Sequence, residues 1–159
     1  MNMRCRSSWL LVGVFVVACG GDSPTAPTSI SPFLLTITLP RQVHGAINDD
    51  GDYQCNYTVT AAAVGGETGT FAYWNNVTLD WSRSDGAKFT HLLFESDLTD
   101  WFGSDRVVSG RTQTANRRSR WSDAYDITFQ FRYRVCPPGT TGSSCRGEQS
   151  TNTVFFSCT

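Results

Sequence analysis

"YDITFQFRYRV", residues 125–135, decides the fold class. Tyr125, Ile127, Phe129, Phe131, Tyr133 and Val135 alternate with Asp126, Thr128, Gln130, Arg132 and Arg134. A period of two belongs to a strand with one face buried and the other wet, the pattern of an antiparallel sheet. Residues 53–63 repeat it, with Tyr53, Cys55, Tyr57, Val59, Ala61 and Ala63 inward and Gln54, Asn56, Thr58 and Thr60 outward. Further strands are expected at 33–39, 76–83, 87–95, within 106–122, and at 152–158. Asp50-Gly51, Gly65-Gly66, Asp85-Gly86 and the Pro137-Pro138-Gly139 corner supply the turns between them. About seven strands at this spacing predict a single all-β domain, an antiparallel β-sandwich. The one helical expectation is a turn at 96–103, stopped by Gly103.

Trp81 on a middle strand and "DAYDI" at 123–127, with Tyr125 opening a late strand, resemble the core tryptophan and tyrosine corner of immunoglobulin-like and fibronectin type III-like modules. The resemblance implies the architecture of those sandwiches and leaves the strand order open. Ile127 stands where an immunoglobulin domain carries its second cysteine. A jelly roll or a small barrel is the alternative, because counting strands does not fix their order.

Ahead of the sandwich, Arg4 and Arg6 precede an apolar run from Trp9 to Val17, and Ala18 precedes Cys19. This is the layout of an export signal, and the run falls short of the roughly 20 residues that cross a bilayer. Val16, Val17, Ala18 and Cys19 resemble the lipobox of bacterial lipoproteins. The resemblance implies cleavage before Cys19, a diacylglycerol on its sulfur and acylation of the new amino terminus, with palmitate-type chains holding the protein to a membrane. Gly20, rather than aspartate, follows the cysteine, which in that family points to the outer membrane. An ordinary signal cut near Ala18 would leave Cys19 free or disulfide-bonded. The chain therefore divides into a signal peptide at 1–18, a lipidated terminus and Pro/Gly/Ser-rich tether at 19–31, and the sandwich at 32–159.

With Cys5 in the leader and Cys19 carrying lipid, Cys55, Cys136, Cys145 and Cys158 remain. An even set in an exported domain implies disulfides, and four cysteines allow three pairings. In the sandwich topology the second strand begins and the last strand ends at one pole, which favours Cys55–Cys158 and leaves Cys136–Cys145 to staple the opposite end. A Cys55–Cys136 bond would have to span strands about 35 Å long, far beyond disulfide reach. The alternative use of these cysteines, a metal site, lacks a zinc spacing.

The formal charge is −1 and Lys88 is the only lysine, so the basic surface that nucleic acid requires is not implied. His44 and His91 stand apart from any patterned serine or carboxylate, and no nucleophile elbow, zinc motif or phosphate loop occurs. No catalytic residue, metal or cofactor is expected. "NDDGD" at 48–52 reads as a hairpin turn more simply than as a calcium loop, whose spacing it lacks.

Arg117, Arg118, Arg120, Arg132 and Arg134 form the main concentration of like charge. If the strands holding them are adjacent, their guanidinium groups share one face able to bind carboxylate or phosphate, as on an anionic glycan; otherwise they cover a sheet and pair with nearby aspartates. Trp101 and Phe102 are either an exposed stacking platform or a plug at one end of the sandwich. The expected function is a lipid-anchored cell-envelope protein that acts by binding, adhesion or structural support, with an envelope protein or a glycan as partner. An inhibitor presenting the stapled loop 136–145 and a carbohydrate-active hydrolase using paired carboxylates are the alternatives.

Overall fold

The structure, a computed structural model, describes residues 31–145 and 147–159. The leader, the lipobox with Cys19 and the tether up to residue 30 lie outside the described residues. The strands are β1 (Leu34–Thr38), β2 (Gln42–Val43), β3 (Ala46–Ile47), β4 (Tyr53–Val64), β5 (Phe71–Arg83) and β6 (Lys88–Phe94). After helix α1 (Glu95–Phe102) come β7 (Arg106–Val108), β8 (Thr112–Trp121), β9 (Tyr125–Cys136), β10 (Glu148–Ser150) and β11 (Val154–Cys158).

Two sheets form the domain. In the first, β4 lies between β8 on one edge and β1 and β3 on the other. In the second, β9 lies between β5 and β11, with β6 beyond β5 and the short β2, β7 and β10 extending the sheet. All pairs are antiparallel except β2, which runs parallel to β11. The second long strand sits between the first and fifth, and the sixth between the third and seventh, the order of immunoglobulin-like sandwiches. Among the described residues both sheets keep free edges, so the domain is a sandwich and not a closed barrel.

The inward faces follow the period of two in β4 and β9, and the core is made of unequal halves. The first sheet contributes mainly aliphatic and small residues, Leu35, Ile37, Val59, Ala61, Ala63 and Ala115, while the second contributes the large aromatics Trp74, Phe129, Phe131 and Tyr133. Small against large lets the layers interdigitate at close packing. β5 begins five residues earlier than its alternation predicts, because a bulge between Trp74 and Asn76 shifts the register. Ala72 and Trp74 face inward before the bulge, and Val77 and Leu79 after it. An extra residue in one strand breaks an even period without ending the strand.

The segment around 96–103 makes two helical turns rather than one. Leu98 and Phe102, four residues apart, share the buried face of α1, and Gly103 closes it at φ 69° with its N–H on the Thr99 carbonyl at 2.7 Å. The helix fills the seam between the β8 edge of one sheet and β5 and β6 of the other. Among the described tryptophans Trp74, not Trp81, is fully buried; Trp81 sits near the end of β5, half-buried against Trp121 and Tyr125. Cys55–Cys158 joins the two sheets with 5.9 Å between Cα atoms, and Cys136–Cys145 closes the loop after β9 with 5.1 Å.

Candidate ligand-binding face

The five arginines do not share one face. β8 and β9 belong to opposite sheets, and residues 122–124 carry the chain across from one to the other. Arg118 and Arg120 therefore point outward from the first sheet, and Arg132 and Arg134 outward from the second, on the far side of the molecule. Arg117, one residue out of phase, turns toward the seam, where its guanidinium carbon lies 4.3 Å from the centre of the Trp101 ring. Arg132 reaches Glu148 at 3.4 Å and Arg120 reaches Asp50 at 3.5 Å, both exposed pairs that contribute little to stability.

Phe102 is buried and stacks on Trp74 with 4.9 Å between ring centres, so it belongs to the core and is withdrawn from any ligand. Trp101 is half-buried, edge-on to Phe131 and covered on its other side by Arg117. Both serve as the plug and not as an open stacking platform.

Register brings the outward arginine Arg118 together with residues that its own strand does not reveal. Asn56 lies opposite Arg118, and Thr58 opposite Asn116. Thr58 Oγ1 donates to Asn116 Oδ1 at 2.8 Å, and Arg118 Nε donates to Asn56 Oδ1 at 3.3 Å. With both amide oxygens occupied from within the sheet, the Nδ2 donors of Asn56 and Asn116 and the remaining guanidinium N–H groups face solvent. These residues line a shallow depression of about 640 Å³, to which Tyr57 and Arg117 also contribute. Among the described residues, no carboxylate lines it. The surface is thus rich in donors and poor in acceptors, which suits carboxylate, phosphate, sulfate or densely hydroxylated ligands.

Beneath this face a buried hydroxyl pair ties β8 to β9 of the other sheet. Tyr125 donates to Ser119 Oγ at 2.5 Å across the core. Burial, followed by the neighbouring Tyr125, pushes the Tyr57 hydroxyl up to about 12, against smaller opposing effects of Arg117 and a hydrogen bond with Ser119. Burial also raises Tyr125. Both phenols are neutral throughout the physiological range, and they hold Ser119 as a structural hydroxyl.

His44 and His91 are exposed and far apart in the chain, one between β2 and β3 and the other on β6. Asn48 Oδ1 accepts the backbone N–H groups of Asp50 and Asp52 at 3.0 and 2.9 Å, so residues 48–52 are a side-chain-closed hairpin turn. Among the described residues, no three His, Cys, Asp or Glu side chains gather as a metal site would require. The chain matches no protein-family model, no curated protein and no solved structure.

Proposed function

We propose that this protein is a lipid-anchored component of the bacterial cell envelope whose sandwich acts by binding, and that the outer β4–β8 face takes an anionic, oxygen-rich ligand of the acidic-glycan type. The observation that carries the ligand class is the set of solvent-facing donors on Arg118, Asn56 and Asn116 with no carboxylate among them. A flat strand face of this kind binds through hydrogen bonds and ion pairing rather than by enclosing its ligand. The lipobox-like "VVAC" at 16–19 supports the anchor, and the two disulfides suit an oxidising compartment.

Two experiments test the parts separately. Metabolic labelling with a fatty-acid analogue should mark the wild type and fail on Cys19→Ser; labelling that survives the substitution removes the anchor. For the ligand, uronate-bearing and sulfated oligosaccharides are titrated against the wild type, Arg118→Gln and Asn116→Ala, with neutral oligosaccharides as controls. Loss of one charge-assisted contact predicts roughly tenfold weaker binding of the acidic sugars, about 1.4 kcal/mol. Equal affinity for acidic and neutral sugars, or no change in either variant, overturns the assignment.

A further inference from the structure

β6 is the edge of the second sheet, and among the described residues only β5 pairs with it. The hairpin before it fixes which way its backbone points. Arg83 donates to the Ala87 carbonyl at 2.9 Å, and Gly86, at φ 86°, donates back to Arg83 at 3.0 Å. Alternation along an antiparallel ladder then turns the N–H and C=O groups of Phe89, His91 and Leu93 toward β5. Those of Lys88, Thr90 and Leu92 point to the open edge, while the Phe94 N–H is taken by Asp97 Oδ2 at 2.8 Å. The same strand leaves Phe89, Leu92 and Phe94 exposed at 47%, 44% and 60%. Apart from Lys88 at one end, it has none of the prolines, bulges or inward charges that protect edge strands.

We propose that β6 pairs with β6 of a second copy of this chain, antiparallel about a two-fold axis through His91, making one continuous sheet across two protomers. In this register Thr90 faces Leu92 of the second copy, and both carry edge-pointing N–H and C=O groups. Each such pair exchanges two hydrogen bonds, and the symmetry supplies the pair twice. The side chains match as well, since Phe89 meets Leu93 of the second copy and the Lys88 stem crosses its Phe94. Charge selects this orientation. Lys88 stands at the start of the strand and Glu95 and Asp97 just beyond its end, so antiparallel pairing sets each lysine beside the other copy's acidic helical turn. Parallel pairing would set lysine by lysine and acid by acid.

The test uses the full exported chain, whose association does not depend on the ligand face or on lipid at Cys19. Sedimentation equilibrium over a concentration series should give the mass of a dimer, and Leu92→Lys and Lys88→Glu should each weaken association at least tenfold. Both positions are on the exposed strand, and circular dichroism verifies that the fold is retained. Thr90→Pro removes one edge-facing donor without touching the β5 ladder and should have the same effect. Arg118→Gln, on the other sheet, should change nothing. His91 faces its own copy at a non-hydrogen-bonded position, where Cα atoms lie about 4.5 Å apart and a disulfide can form. His91→Cys should therefore crosslink under mild oxidation, whereas Lys88→Cys, opposite Phe94, should not. A monomer at every concentration, an open polymer, a dimer indifferent to Leu92→Lys, or crosslinking equal at the two cysteines overturns the proposal.

Discussion

Removing the two disulfides one at a time should separate their contributions by loop length. Cys55–Cys158 spans 103 positions of the sequence and Cys136–Cys145 only 9. Closing loops of those sizes restricts the unfolded chain by about 4.7 and about 2.7 kcal/mol in the chain-entropy description. The four bonded cysteines are buried, three of them fully and Cys145 at 7%, so truncating either pair to alanine leaves similar voids. The difference between the variants, about 2 kcal/mol, therefore reports loop closure rather than packing. With an unfolding entropy of about 2.1 cal/mol/K per residue, a domain of this size loses about 3.7 °C per kcal/mol. Cys55→Ala/Cys158→Ala should melt about 17 °C below the wild type, and Cys136→Ala/Cys145→Ala about 10 °C below. Calorimetry on oxidised protein, with free-thiol titration to confirm the remaining bond, measures both. Equal losses, or a larger loss for the short loop, would refute the loop-length reasoning and place the stabilisation in native contacts.

Three further outcomes follow from packing and titration. Tyr57 has its folded-state pKa raised from 10.0 to about 12, so its contribution is complete below pH 10 and is lost as the unfolded chain ionises first. Urea midpoints should fall between pH 10 and 12 by the equivalent of about 3 kcal/mol, and Tyr57→Phe should flatten that limb. A Cβ at Gly45 would lie 3.1 Å from the Tyr53 ring and 3.2 and 3.3 Å from the Cys158 and Cys55 sulfurs. Gly45→Ala should cost about 1–2 kcal/mol in chemical denaturation through crowding against the disulfide. Phe102→Ala should cost about 3–4 kcal/mol through the cavity beside Trp74, against about 1 kcal/mol for the half-exposed Trp101→Ala; the same urea series compares them.

Much of the architecture is local information. The even alternation of residues 125–135 and 53–63 states which side chains are inside, because a strand's faces are set by backbone geometry alone. The disulfide pairing follows at the next level, from the order in which strands begin and end at the two poles. Alternation is lost where the backbone departs from regularity, as at the β5 bulge, and there the strand's first half escapes a reading by period. Helix α1 is longer than expected because burial of Leu98 and Phe102 against both sheets extends a segment whose own turn-forming residues indicate only a stop at Gly103.

The sequence by itself determined the all-β class, the inward faces of the long strands and the four cysteines of the domain. It carries these because each depends on spacing along one strand or on chain order. Only the tertiary structure decided that β8 and β9 lie in opposite sheets, that Arg117 covers Trp101, and that Asn56 and Asn116 stand with Arg118 on one face. Cross-strand register sets those neighbours, and it arises from the packing of two sheets around a shared core, which no single strand encodes.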